Sequence, residues 1–144
     1  MDNQQTISRE QFSRRVVELY LRSGLDGLPK NDADQHILLK SVTLTLGKPG
    51  VFSELELNEK LKVWINQVIQ MRKFDHSSLR RWLVDFGYLT RNKDGSRYEV
   101  AAGSRAQLFD PSIDQVDIPQ VIQAAREEIA RKKQEYLAKS GRAG

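Results

Sequence analysis

The chain has 144 residues, 39% of them hydrophobic, and a net charge of +4. That length suits one domain with a modest core, and so mild a positive balance fits a polyanionic partner or an ordinary soluble surface equally well. The absence of cysteine excludes disulfides, thiolate metal sites and cysteine nucleophiles. The polar N-terminus, MDNQQTISREQ, has no leader-like apolar run and no later stretch could span a bilayer, so the expectation is a soluble cytoplasmic protein with no membrane partner.

Ser8 and Gln11 form a capping-box pattern, and Phe12, Val16, Leu19 and Tyr20 then recur at helical spacing. This predicts a first helix over about 9–23, stopped by Gly24. Residues 25–30, LDGLPK, read as a turn-rich connector. Asn31 or Asp32 caps a second helix with the apolar stripe Leu38, Leu39, Val42 and Leu46, and Gly47-Lys48-Pro49-Gly50 ends it. Val51-Phe52 has room for only a very short strand.

Ser53, with Glu56 as its capping-box partner, opens a third helix marked by Leu57, Leu61, Trp64 and Val68. Residues 67–73 either extend it or form a longer turn. Asp75 caps a fourth helix running to about Phe86 and stopped by Gly87. A hairpin follows, then an irregular linker broken by Gly103 and Pro111. Asp117, Ile118 and Pro119 open a last helix to about Lys139.

The fold these elements predict is mainly α: a winged helix-turn-helix core with a small β-hairpin wing and extra N- and C-terminal helices. Its parts are an N-terminal helical extension (1–27), a winged-helix-like domain (28–101), a linker (102–116) and a C-terminal helix (117–144).

On the fourth helix Leu79, Trp82, Leu83 and Phe86 share one face, which predicts a core contact. Ser77, Arg80, Arg81 and Val84 fall opposite. Arginine can fork onto guanine or a phosphate, serine can bind phosphate, and Val84 can touch a thymine methyl. The helix N-terminus around Asp75-His76-Ser77-Ser78 also offers N–H groups to a phosphate, against which the Asp75 carboxylate competes. The plainer alternative is a solvated face with salt bridges such as Arg81 to Asp85.

In the hairpin, Asp94-Gly95 predicts a two-residue type I′ turn that pairs Lys93 with Ser96, Asn92 with Arg97, Arg91 with Tyr98 and Leu89 with Val100. Leu89, Val100 and Tyr98 then cover the core, and Asn92, Lys93 and Arg97 gather at an exposed tip. Between residues 72 and 97 seven basic residues (Arg72, Lys73, Arg80, Arg81, Arg91, Lys93, Arg97) face three acids (Asp75, Asp85, Asp94). This local excess equals that of the whole chain, which favours a polyanion-binding surface. The alternative is a hairpin that only closes the core, with solubilising charges.

Asp75, Leu79-Arg80-Arg81-x-Leu83-Val84, Gly87-x-Leu89-x-Arg91 and Asp94-Gly95-x-x-Tyr98 together resemble the signature of the bacterial domain of unknown function numbered twenty-eighty-seven. The preceding FSELELNEKL is similar to that family's helix before the signature, and the resemblance covers roughly 28–100. It implies a small helical domain of winged-helix type, found alone or joined to ArsR-type transcriptional regulators, with no established activity. The long stretch between Leu61 and Asp75 departs from the family pattern.

His36 and His76 lack partners at metal-ligand spacing and read as surface or helix-end residues. Gly47 and Gly50 lack the phosphate-loop spacing, and Glu54 and Glu56 suit a helix first turn better than catalysis. No enzyme activity and no cofactor or metal are expected. In the last helix Ile118, Ile122, Ala125, Ile129 and Tyr136 lie near heptad core positions, interrupted by Lys132. They predict packing onto the domain or a homodimer through the terminal helices.

The expected function is binding of double-stranded DNA in transcriptional regulation. Ser77, Arg80 and Arg81 would enter or border the major groove, Ser78 joins the contact set at the helix N-terminus, and Asn92, Lys93 and Arg97 would grip the phosphates. The alternatives are a non-catalytic protein-interaction module and RNA binding through the same face.

Overall fold

A computed structural model describes residues 6–23, 27–47, 50–70, 74–101 and 108–142, with side chains to 141. The chain is mainly helical, with one small antiparallel sheet. Helix α1 (Arg9–Val17) starts at the Ser8–Gln11 capping box, with both reciprocal bonds made. It continues as a wider π turn over Glu18–Arg22. The expected stop at Gly24 lies outside the described residues. Asn31, not Asp32, caps α2 (Asp32–Thr45).

The short strand is β1 (Val51–Ser53). Ser53 then caps α3 (Glu54–Val63) through a second complete capping box with Glu56. A second π turn, Trp64–Val68, prolongs α3 into the start of the 67–73 stretch, whose residues 71–73 lie outside the described residues. Asp75 caps α4 (His76–Asp85). At its far end Gly87, with φ 84°, takes the left-handed position. The Gly87 N–H reaches the Val84 carbonyl at 3.1 Å and the Tyr88 N–H that of Leu83 at 2.8 Å, which is the Schellman pattern.

Strands β2 (Leu89–Arg91) and β3 (Arg97–Val100) pair as expected at Leu89–Val100 and Arg91–Tyr98. These strands do not form a lone two-stranded hairpin, however. β1 pairs with the other edge of β3, Phe52 opposite Tyr98, so the sheet has three strands in the order β1-β3-β2. This contact joins residues more than forty positions apart, and such pairing leaves no local mark in the sequence.

The stretch expected to be an irregular linker also differs where it is described. Ile7 and Phe109 form a parallel bridge, and a 3-10 turn spans Pro111–Gln115. Phe109, Ile113 and Val116 are buried, and Phe109 meets Phe12 edge-on at 6.0 Å. One core therefore runs from Phe12 through α2, α3 and α4 to Ile122 of α5 (Ile118–Arg142). Among the described residues no helix is long and apolar enough to cross a membrane.

Candidate nucleic-acid interface

The core positions predicted for α4 set its orientation. Leu79 and Leu83 are fully buried, and Trp82 and Phe86 pack half-buried at the margins of the same core. Val84 belongs to this margin as well, so it does not stand on the outer face. The seven predicted contact residues then divide into two groups.

Three are built into the fold. Ser78 donates both its N–H (3.2 Å) and its hydroxyl (3.0 Å) to the Asp75 carboxylate. These bonds, the hydroxyl first, hold the Asp75 carboxyl below the usual range. Arg80 points back along the fold: its guanidinium donates to Asn58 Oδ1, lies 3.4 Å from Glu54, and covers the Tyr98 ring at 5.8 Å. A helical wheel gives the azimuth of Arg80 but not its neighbours, and α3 and β3 close over that side.

Asn92 is the third. Its Oδ1 accepts the Arg97 N–H at 2.9 Å and its amide donates to Ser96 at 3.0 Å. The tip is not the expected type I′ turn, which needs positive φ at both central residues. Of Asp94 and Gly95 only the glycine has it, at 75°. Asp94 Oδ1 instead accepts the N–H (2.9 Å) and the hydroxyl of Ser96 (2.6 Å), and the Gly95 N–H closes onto the Asn92 carbonyl at 3.0 Å. Side-chain acceptors thus replace the last ladder pair, Lys93 with Ser96. These bonds, that of the Ser96 hydroxyl foremost, also lower the Asp94 pKa.

Four predicted residues face solvent: Ser77 and Arg81 on α4, Lys93 and Arg97 at the hairpin tip. Among the described residues Arg81 has no ion pair, and the i, i+4 partner Asp85 is not engaged. Arg91 joins this group although the contact set omitted it. Its guanidinium folds over Gly95, placing a further positive charge at the tip. The signal was present in the basic count, but the pairing of Arg91 with Tyr98 hid how far the side chain reaches. Arg72 and Lys73, counted in the same cluster, lie outside the described residues.

His36 is not a surface residue. It is half-buried, with Nδ1 2.8 Å from the Tyr88 hydroxyl and its ring edge-on to Phe86. His76 sits at the α4 start, half-buried, 3.9 Å from Asp75.

No curated protein and no solved structure matches the chain. Residues 24–100, which hold the second helix, the α3–α4 pair and all three strands, match the model of the family described as "Uncharacterized protein conserved in bacteria (DUF2087)", and since they make up more than half of the chain, the protein belongs to that bacterial family.

Proposed function

We propose that this protein is a non-catalytic winged helix that binds double-stranded DNA in transcriptional regulation. The supporting observation is an arrangement. The order α2-β1-α3-α4-β2-β3, with strands placed β1-β3-β2, fits a winged helix in which α4 would be the recognition helix and β2–β3 the wing. Exposed basic residues stand on both of those elements: Arg81 on the helix, and Arg91, Lys93 and Arg97 on the hairpin. Arg81 and Ser77 would enter or border the major groove, and Lys93, Arg97 and Arg91 would meet phosphates beside it. Arg80, Ser78 and Asn92 serve this reading by holding the two elements in place. Two copies joined through their terminal helices would set two recognition helices on one duplex.

The test is a binding titration against random duplex DNA, single-stranded DNA and RNA across about 50–200 mM salt. Duplex binding that weakens steeply with salt is expected. Duplex affinity that ignores salt, or that is unchanged in Arg81→Ala and Lys93→Ala, rules the face out. RNA binding stronger than duplex binding moves the same face to RNA. A second reading, capture of a partner protein, draws on Leu55 and Val63, exposed on α3, and on Tyr136 and Leu137 on α5. Recovery of a protein and no nucleic acid in a pull-down supports it.

A further inference from the structure

The last helix is longer than the body it packs on. Ile118 and Ile122 are buried where α5 meets α1 and α2, and Ala125 and Ile129 are half-buried. From Ala130 to Gly141 every residue is exposed. At 1.5 Å per residue this is an overhang of about 18 Å. A free helical stub of that length is marginal in water unless something packs against it.

The stripe that faces the body does not end with the body. Ala125, Ile129, Lys132 and Tyr136 continue one line at spacings of four, three and four. Tyr136 and Leu137 stand 71% and 57% exposed. At the root of the overhang Val17, Arg22, Ala125, Glu128, Ile129 and Lys132 line a groove of about 390 Å³.

This stripe is self-complementary when reversed. A two-fold axis midway between positions 130 and 131 sets Tyr136 against the partner's Ala125, and Ile129 against the aliphatic stem of the partner's Lys132. Large meets small in the first pair. Glu128 comes level with the partner's Lys133, so charge obeys the same symmetry. A parallel pair would instead set Lys132 against Lys132 and leave the groove unused.

We infer that the α5 overhang is a self-association surface on which a second copy of this chain packs antiparallel, with Tyr136 of each copy seated in the groove of Val17, Ala125 and Ile129 of the other. Such an interface is closed and isologous, and it ends at a dimer. The inference rests on the pairing of terminal helices proposed above and adds its orientation and anchor. It does not depend on DNA being the ligand.

Sedimentation of the full chain over a concentration series is expected to approach twice the 16.5 kDa chain mass. Tyr136→Glu, at a position too exposed to threaten the fold, is expected to weaken association about tenfold or more. A chain that stays monomeric overturns both the pairing and its orientation. A dimer that Tyr136→Glu leaves intact overturns this surface alone. Because the chain has no cysteine, Ile129→Cys and Lys132→Cys supply single thiols. Mixed and oxidised, the two variants are expected to cross-link to each other far faster than either does to itself. Self-cross-linking of Lys132→Cys alone would mark a parallel pair and overturn the proposed orientation. Duplex binding by Lys93→Ala tests the nucleic-acid reading separately, since that change leaves α5 untouched.

Discussion

The guanidinium of Arg80 lies over the ring of Tyr98, 5.8 Å from its centroid, and so ties α4 to the central strand of the sheet. Glu54, at 3.4 Å, and Asn58 complete its setting. The two adjacent arginines should therefore separate cleanly. Arg80→Ala is expected to lower stability by about 1–2 kcal/mol, from the lost ring contact and charged hydrogen bond. Arg81→Ala should leave stability unchanged and weaken duplex binding. Thermal unfolding and a binding titration on both variants check the split. Equal stability loss in the two would mean that Arg81 is also held by the fold.

Lys93 and Arg97 stand exposed at the hairpin tip, whose backbone is held by Asn92 and Asp94. Removing either charge should spare the fold. If each meets a phosphate, Lys93→Ala and Arg97→Ala each reduce the slope of log affinity against log salt by about 0.9, whatever the DNA sequence. A slope that does not move in either variant removes the hairpin tip from the proposed contact face.

Gly95 combines positive φ with a covering guanidinium: a Cβ built there comes within 2.8 Å of Arg91 Cζ. Gly95→Ala therefore strains the backbone and pushes Arg91 away. The left-handed conformation alone costs a non-glycine residue about 1–2 kcal/mol. The expected result is a lower thermal midpoint together with weaker duplex binding, because the tip loses its shape. Gly27→Ala, where an added Cβ meets nothing within 4 Å, is the matched control.

What the sequence revealed here depended on the range of the interaction. The capping boxes of Ser8 and Ser53 and the caps at Asn31 and Asp75 were readable because donor and acceptor lie three residues apart. The pairing of Leu89 with Val100 was readable because a tight turn brings the strands together. The turn itself departs from the type I′ expectation, since Asp-Gly favours that turn only while nearby side chains stay out of the backbone. Here Asp94 and Asn92 do not stay out. The third strand, the burial of Phe109 and Ile113, and the hold on Arg80 all depend on contacts far apart in the chain. Periodicity carries no information about them.

Acid should act through the helix and turn caps. Asp75, Asp94 and Asp110 accept from Ser78, Ser96 and Ser112, and each carboxyl is held below its ordinary value mainly by that serine hydroxyl. Glu56 is lowered first by the Ser53 N–H. A carboxylate whose folded pKa is depressed adds stability that is complete above its unfolded value and is lost as pH falls. Ordinary values are about 3.9 for Asp and 4.3 for Glu, so the thermal midpoint should hold from neutral pH to about 5 and fall below about 4. Asp75→Asn keeps a capping side chain and removes its titration, so it should flatten part of that fall. A midpoint at pH 3 equal to that at pH 6 would contradict this account.

Trp64 opens the second π turn, 2% exposed and edge-on to Tyr20 of the first, with ring centroids 5.7 Å apart. Its Nε1 is buried and has no hydrogen-bond partner among the described residues. An orphaned buried N–H costs about 1–3 kcal/mol. Phenylalanine would keep the ring contact with Tyr20 and discard that N–H, while the smaller ring leaves a void worth about 1–2 kcal/mol. The two terms oppose each other, so Trp64→Phe should lower the unfolding free energy by no more than about 1 kcal/mol. Trp64→Ala removes the ring altogether and should cost about 3–5 kcal/mol. Urea unfolding followed by far-UV circular dichroism distinguishes the cases. If phenylalanine proves nearly as damaging as alanine, the indole N–H has a partner in solution and the polar group at this junction of the two π turns is satisfied.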